Sequence, residues 1–353
     1  MIKMMEAKGY AARKAGQELA PFEFKRRDLL ENDVLIKIKY CGICHSDIHQ
    51  VNNDWGGASY PIVPGHEIVG IVEKVGKEVS KFKVGDRVGV GCMVDSCGKC
   101  DSCKKGLQQF CVNGATFTYA SPDKVVGGMT YGGYSENIVV TENFVLKIPD
   151  NLDLAASAPL LCAGITTYSP LRHWQVKPGQ TVGVAGLGGL GHMAVKLAKS
   201  MGAKVVVLTT SESKVKEAHR LGADEVIMSK NLEEMKKNRK TLDLIIDTIP
   251  APHDMNLYLS LLKIDGSLVL VGLPEKESQH SISAGILING RRKLSGSNIG
   301  GIEETQEMLD YCGKNNIVSD IEITPIQKVN DAYVRTINSD VKYRFVIDMS
   351  TLK

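Results

Sequence analysis

Apolar positions along the chain follow two rhythms. Up to about residue 150, short β-branched runs stand between turn signals, and Val34-Leu-Ile-Lys-Ile-Lys-Tyr40, Ile68-Val-Gly-Ile-Val-Glu-Lys-Val75 and Gly85-Asp-Arg-Val-Gly-Val90 each read as a strand. β-Branched side chains pack well on a half-buried pleated surface, so this first region is predicted to be mostly β. The rhythm changes near Leu154-Ala-Ala-Ser-Ala-Pro159. Beyond it, strand runs alternate with helical periodicity: Thr181-Val-Gly-Val-Ala185 is a buried strand, Met193 to Met201 an amphipathic helix and Lys204-Val-Val-Val-Leu-Thr209 a second strand. A strand at Ile227 after a short helix, then Asp243-Leu-Ile-Ile-Asp247 and Ser267-Leu-Val-Leu-Val271, extend the series. Alternation at this pitch predicts a doubly wound parallel α/β sheet. Glu303 to Lys314 reads as one more helix and Lys342-Tyr-Arg-Phe-Val-Ile347 as a closing strand. The pattern leaves open whether this tail joins the parallel sheet or returns to the first region.

A length of 353 residues, at roughly 150 per domain, agrees with two domains. Hydrophobic residues at 43% and charged residues at 24% give enough apolar mass for full cores, which excludes a disordered chain. Lys+Arg 43 against Asp+Glu 40 leaves a charge of only +3, too little for a nucleic-acid binder that works through a basic surface. The default partner is a small molecule. No apolar run approaches the ~18 residues that span a bilayer, and the opening Met-Ile-Lys-Met-Met-Glu-Ala-Lys lacks a signal-peptide core, so a cytoplasmic protein without a membrane partner is expected.

Gly186-Leu187-Gly188-Gly189-Leu190-Gly191 follows a predicted strand and opens a predicted helix. In that setting the first glycine permits a tight turn, the second lets a pyrophosphate approach the backbone and the third lets helix and strand pack closely, with the helix N-terminus facing the phosphates. The following strand ends in Thr209-Thr210-Ser211-Glu212-Ser213-Lys214. An acidic residue at that tip would bind the ribose hydroxyls of NAD, whereas hydroxyls with a lysine suit a 2′-phosphate, so NADP is favoured. Glu212 is the residue that argues for NAD.

Of nine cysteines, seven fall between Cys41 and Cys111, a clustering that suggests zinc more than disulfides. Cys97, Cys100, Cys103 and Cys111 lie within one short loop bent by Gly98 and Gly106, the pattern of a closed, structural tetrahedral zinc site. Cys44-His45-Ser46-Asp47 and Gly65-His66-Glu67 form a looser set in which Cys44 and His66 are candidate ligands, with Glu67 beside them. A catalytic zinc needs a third ligand and an open position, which spacing does not identify; Cys162, at the change of rhythm where two domains would form a cleft, is the most suggestive candidate. Cys41, Cys92 and Cys312 read as inert buried thiols, and His173, His219, His253 and His280 as isolated core or surface residues.

At this point the chain resembles the zinc-dependent medium-chain alcohol dehydrogenases, and within them the NADP-linked cinnamyl alcohol dehydrogenase branch. The resemblance rests on Cys41-Gly-Ile-Cys44-His-Ser-Asp47-Ile-His49, Asn53-Asp-Trp55-Gly, Pro64-Gly-His66-Glu67, the cysteine loop, Cys162-Ala-Gly-Ile-Thr166, the glycine loop, Asp247-Thr-Ile-Pro-Ala-Pro-His253 and Tyr343-Arg344-Phe-Val-Ile-Asp348, in family order over essentially the whole chain. It implies a GroES-like catalytic domain at 1–162 with a structural zinc lobe at 92–112, a Rossmann NADP-binding domain at 163–297 and a return of 298–353 to the catalytic domain. By the same resemblance Cys162 is the third ligand of the catalytic zinc, Glu67 approaches the metal during ligand exchange and Asp47 orients the zinc histidine. Ser46 and His49 look like a proton relay running through the cofactor ribose. Thr166, Val271 and Asn298 look like nicotinamide neighbours, Thr248 a further cofactor contact, and His45 and Arg344 pyrophosphate contacts. Thr209, Thr210, Ser211 and Lys214 match the 2′-phosphate turn. Tyr131 departs from the family, which more usually has glutamine there.

The implied activity is reversible zinc-dependent reduction of aromatic and other aldehydes to primary alcohols with NADPH, with Trp55, beside Gly56-Gly57, as a wall of the substrate cleft. A polyol dehydrogenase of the same superfamily and a non-catalytic NADP- or zinc-binding protein are the alternatives. A homodimer is also implied, with Ile286-Leu-Ile288 ahead of Arg291-Arg292 as the apolar edge that pairs across a two-fold axis.

Overall fold

The computed structural model describes residues 3–274 and 280–353. The chain divides into two compact units, one formed by the residues up to Ile165 together with Gly300–Lys353, the other by Thr166–Ile299.

The first unit is built on a seven-stranded sheet centred on Asp33–Gly42, whose Val34, Ile36 and Ile38 are at most 2% exposed. Ile68–Val75, Asn137–Thr141 and Arg344–Asp348 all pair antiparallel with this strand. The pairing of Val346 with Gly42 and of Ile347 with Cys41 answers the question the pattern left open: the closing strand belongs to the first unit, with Ile321–Pro325 parallel beside it.

A hairpin of Met4–Ala11 and Ala20–Arg27 adds a small second sheet that the sequence reading does not anticipate, because Glu23, Lys25, Arg26 and Arg27 mask the apolar alternation of Phe22 and Phe24. Arg27 ties it to the central strand through a near-buried two-point contact with Asp33, Nη2 to Oδ1 at 2.8 Å and Nε to Oδ2 at 3.1 Å. Tyr131 joins the same hairpin. Its ring lies edge-on to Phe24 at 4.9 Å and its carbonyl accepts from Arg26 at 2.9 Å, so this departure from the family pattern fills an aromatic cluster.

The second unit is a six-stranded sheet in the order Glu225–Met228, Lys204–Thr209, Thr181–Ala185, Leu242–Asp247, Leu262–Leu270, Lys293–Gly296, every neighbouring pair parallel. Strand order reverses between Thr181–Ala185 and Leu242–Asp247, and a ligand of such a sheet binds beyond the carboxyl ends of those strands. Leu208, Ile245, Leu259 and Leu268, each fully buried, form the core on one face. Ile286-Leu-Ile288, read as an apolar edge, is helical. It lies in a short helix, Ala284–Ile288, whose Ile286 and Leu287 pack onto that core while Ile288 is 73% exposed; the sheet edge is Lys293–Gly296. Among the described residues no helix is long and apolar enough to cross a membrane.

Candidate functional site

Cys44 stands at the N-cap of the helix His45–Asn52, and its position there is fixed by the helix itself: the Asp47 carboxylate accepts the Cys44 N–H at 2.9 Å. Asp47 is fully buried and uses its other oxygen to accept from Gly65 N–H and from His66 Nδ1, both at 3.0 Å. One carboxylate thus joins the two segments that carry Cys44 and His66, and by holding Nδ1 it leaves His66 Nε2 free to ligate. Three buried tyrosines that the sequence reading misses surround it. Tyr134 donates to Asp47 at 3.4 Å, Tyr333 donates to Tyr134 at 3.4 Å, and burial with the Asp47 charge pushes both of these hydroxyls and that of Tyr119 well above their usual range.

Cys162 ends the short helical turn Ala158–Leu161 and completes the group: ligand atoms of Cys44, His66, Glu67 and Cys162 all lie within 4.8 Å of one another. A hydrogen bond with Cys162 draws Cys44 well below the usual thiol value and pushes Cys162 up. Burial raises Glu67 to about 7 against the pull of Arg344. Glu67 Oε2 is buried without a hydrogen-bond partner, a costly arrangement that a cation beside it would relieve. Two thiols, an imidazole and this carboxylate suit zinc.

Two residues have neighbours that the sequence reading does not anticipate. Arg344 is only 5% exposed and gives its guanidinium to Glu67 and to the Ile43 carbonyl, at 3.1 and 2.8 Å for the latter, so it stands beside the metal ligands. The closing strand is buried on both faces from Arg344 to Ile347, which carries the guanidinium inside. Cys92 stays outside both ligand groups, as read, but it is a neighbour of one: its thiol lies 3.8 Å from the Leu161 carbonyl and hydrogen-bonds with Cys162, which lowers its pKa. No spacing rule finds it, since it is distant in sequence from its neighbours. Cys41 and Cys312 are fully buried, as read, and burial pushes Cys312 up to about 12.

Cys97, Cys100, Cys103 and Cys111 also converge to within 4.8 Å. Here the chain makes the site by itself, turning at Gly98 and Gly106 with positive φ of 65° and 72°, and the Cys100 N–H donates to Cys97 Sγ at 3.4 Å. N–H groups of Lys99 and Cys100 bring Cys97 down to about 6, while a hydrogen bond with Ser96 lowers Cys103 but burial and the neighbouring Cys100 and Cys111 thiols outweigh it and raise Cys103 to about 11.

Ser46 and His49, three apart on the helix, share a face; His49 Nδ1 meets Asp54 Oδ2 at 2.7 Å and its ring lies 5.2 Å from Trp55. His45 is exposed.

In the second unit the glycine loop leads into the helix Gly189–Ser200 at its N-cap, Gly188. A Cβ on Gly191 would lie 2.1 Å from the Gly186 carbonyl, whereas one on Gly188 would meet nothing within 4 Å, so the loop is closely packed behind and open where a phosphate would approach. Leu187 and Thr166 are buried. Thr248 Oγ1 donates to the Ala185 carbonyl at 2.7 Å, and Val271 N–H to the Asp247 carbonyl at 2.9 Å, which gathers both at the carboxyl ends of the central strands. Asn298 is exposed just past the edge strand. At the tip of Lys204–Thr209, Thr209 Oγ1 accepts from Ser211 N–H at 3.2 Å and Ser211 meets Ser213 at 2.7 Å; Thr210 is exposed, and Lys214 is half-buried with no ion pair among the described residues. Donors without an acidic partner fit an added phosphate.

Residues 30–150 match the alcohol dehydrogenase GroES-like domain and residues 189–314 the zinc-binding dehydrogenase domain. A probable mannitol dehydrogenase from Medicago sativa is 53% identical over 348 residues, 98% of this chain and 96% of the relative. An aldehyde reductase from Escherichia coli (strain K12) is 54% identical over 349 residues, 99% of each chain. CAD from Helicobacter pylori, solved as a complex with NADP(H), is similar with a TM-score of 0.94 and 45% identity over 99% of this chain and 100% of that one.

Proposed function

The chain belongs to the zinc-dependent medium-chain alcohol dehydrogenases, and we propose that it reduces aldehydes, aromatic ones above all, to primary alcohols with NADPH, reversibly. The convergence of Cys44, His66 and Cys162 with Asp47 behind the histidine is the observation that carries this reading. Residues 1–162 and 298–353 form the catalytic domain in this assignment, with the structural zinc lobe at 92–112, and 163–297 bind NADP(H).

Cys44, His66 and Cys162 would hold the catalytic zinc, with Glu67 within reach of the same ion, and the four lobe cysteines would hold a structural one. Once bound, the catalytic zinc supplies Lewis acidity toward a carbonyl oxygen, and NADPH supplies hydride. The protein's own part is to place and protonate. Asp47 fixes the His66 ring, and Ser46 Oγ passes a proton between the substrate oxygen and His49. Because Asp54 holds His49 Nδ1, Nε2 is left to exchange with water. Thr209, Thr210, Ser211 and Lys214 hold the 2′-phosphate, and the NADP(H) complex of the related CAD supports that choice. Trp55 offers an aromatic wall to a ring-bearing substrate.

Steady-state kcat/KM for cinnamaldehyde, benzaldehyde and acetaldehyde with NADPH and NADH tests the reading. Aromatic aldehydes with NADPH should lead; preference for acetaldehyde, or equal use of NADH, would overturn the corresponding part. The name of the Medicago sativa relative favours a second reading, oxidation of a sugar alcohol. Mannitol and sorbitol oxidation belong in the same panel, and either outrunning cinnamyl alcohol decides for that reading.

A cytoplasmic homodimer is part of the proposal. The edge strand Lys293–Gly296 is bonded on one side only among the described residues, and Ile264 and Ile288 near it are 66% and 73% exposed. Light scattering at micromolar concentration that returned 38.4 kDa would remove the dimer.

A further inference from the structure

One wall of the glycine turn is made by the segment that follows Leu242–Asp247. Thr248 donates twice to the Ala185 carbonyl, from its N–H at 3.0 Å and from Oγ1 at 2.7 Å. A Cβ on Gly186 would lie 2.8 Å from Thr248 Oγ1, and one on Gly272 2.9 Å from the Thr248 carbonyl, so the three backbones meet with no spare room. A shift of Thr248 therefore reshapes the turn that faces the dinucleotide.

The segment Ile249-Pro-Ala-Pro-His253 has few means of holding itself. It forms no helix or strand, and Pro250 and Pro252 have no N–H to donate. It is closed by one side-chain pair. Asp247, fully buried, accepts the Ile249 N–H at 3.0 Å on Oδ1 and meets His253 Nε2 at 2.8 Å on Oδ2. The other ring nitrogen, Nδ1, meets the Ala251 carbonyl at 2.8 Å. A carbonyl and an ionised carboxylate can only accept, and neutral imidazole carries a single N–H, so both contacts are made together only by the imidazolium. His253 is not the isolated residue its sequence setting suggests.

The groups facing it agree with that charge. Burial works against the imidazolium, but hydrogen bonds to Asp247 and Ala251 and the charges of Asp247 and Asp254 outweigh it and raise His253 above the usual histidine value. Tyr258, with its ring 5.0 Å away, is held neutral by burial, and the His280 ring lies 5.2 Å away.

We propose that His253 is a positioning residue for the dinucleotide: as an imidazolium it pins residues 248–253 and so holds Thr248 against the glycine turn, and its deprotonation loosens that wall and weakens cofactor binding. This rests on the reading that this sheet binds NADP(H). Affinity is full below the His253 pKa and falls as pH rises through it. By linkage, binding raises the His253 pKa and takes up a fraction of a proton.

Isothermal titration of NADPH into the unmutated protein and into His253→Gln, between pH 6.5 and 9 and in two buffers of different ionisation enthalpy, tests the proposal without turnover. The 2′-phosphate and Lys214 titrate alike in both proteins, so the comparison isolates His253. The unmutated protein should take up protons on binding and bind about tenfold more tightly than His253→Gln at pH 6.5, the worth of one charge-assisted hydrogen bond. The ratio should shrink toward one at pH 9, and the variant should show no such uptake. Melting curves of the two unliganded proteins at each pH confirm that both are folded. A ratio that is constant with pH, or equal uptake by both, would overturn the proposal while leaving the cofactor site standing. Failure of NADPH to bind the unmutated protein at any pH would overturn the cofactor reading, and this inference with it.

Discussion

The two cysteine clusters of the first unit use similar ligands and are built in opposite ways. The lobe draws all its sulfurs from Cys97 to Cys111, orients them with neighbouring backbone N–H groups and leaves Cys97 and Cys100 partly exposed. The other cluster draws Cys44 from a helix start, His66 and Glu67 from the approach to a strand and Cys162 from a helical turn, and binds them through buried charges, Asp47 on one side and Arg344 on the other. A site made by one loop depends on its metal for shape, because a loop of polar residues has no core to hold it. A site assembled by a packed sheet keeps its shape without the metal and can leave a position open for chemistry.

The hardest test of this contrast is to delete one ligand from each cluster. Cys100→Ala should cost several kcal/mol of stability and one of two zinc ions per chain, seen by metal analysis and a large fall in Tm. Cys44→Ala should also lose one zinc yet keep its Tm within a few degrees, while kcat/KM drops at least about a thousandfold. Fully active enzyme holding one zinc per chain, or similar melting losses from the two variants, would erase the contrast.

Asp47→Asn should lower affinity for the catalytic zinc and kcat/KM by about 10- to 100-fold, the usual range for a group that orients a metal histidine, with the lobe metal retained. Titration with a chelator, following metal and activity together, separates the two sites. Loss of both metals in parallel would mean that Asp47 holds the unit as a whole.

A smaller effect concerns the metal-stripped lobe. With Cys97 near 6 and Cys103 near 11, alkylation at pH 7 should label Cys97 at least about tenfold faster, even after allowing for the weaker nucleophilicity of the more acidic thiolate. The preference should fade as pH falls through 6 and Cys97 takes up its proton. Mass spectrometry of the peptides reads the order directly. Smallest of all, Ser96→Ala removes a 3.3 Å contact with Cys103 Sγ and should cost no more than about 1 kcal/mol by denaturant titration.

The same contrast explains what could be read from the chain. The lobe is legible because its ligands are neighbours in sequence, so spacing carries the geometry. The parallel sheet is legible for a similar reason: Thr181–Ala185 and Lys204–Thr209 are uninterrupted apolar runs between glycine turns. Cys162 is not identified by spacing, and its role came only from resemblance. Cys92, Tyr119, Tyr134 and Tyr333 gave no signal, since each acquires its neighbours from a distant strand or helix. The Arg344–Glu67 pair is not legible either, because the closing strand is buried at every position from Arg344 to Ile347 and nothing in the sequence marks which partner the guanidinium meets. The hairpin Met4–Ala11 and Ala20–Arg27 was hidden by charge, and Ala284–Ile288 is too short for its period to declare itself helical.

The return of the chain to its first sheet sets an order of events during synthesis. The second unit is continuous in sequence and can close once its own residues have left the ribosome. The first cannot, because Arg344–Asp348 pairs with the central strand and Arg344 neutralises Glu67 across 277 positions of sequence. Until that strand arrives, the Tyr40–Gly42 end of the central strand and the Glu67 carboxylate stand uncovered, and the nascent chain offers chaperones an incomplete sheet beside a finished one. Translational pauses late in the message therefore lengthen the life of the unfinished metal site and leave the nucleotide unit untouched.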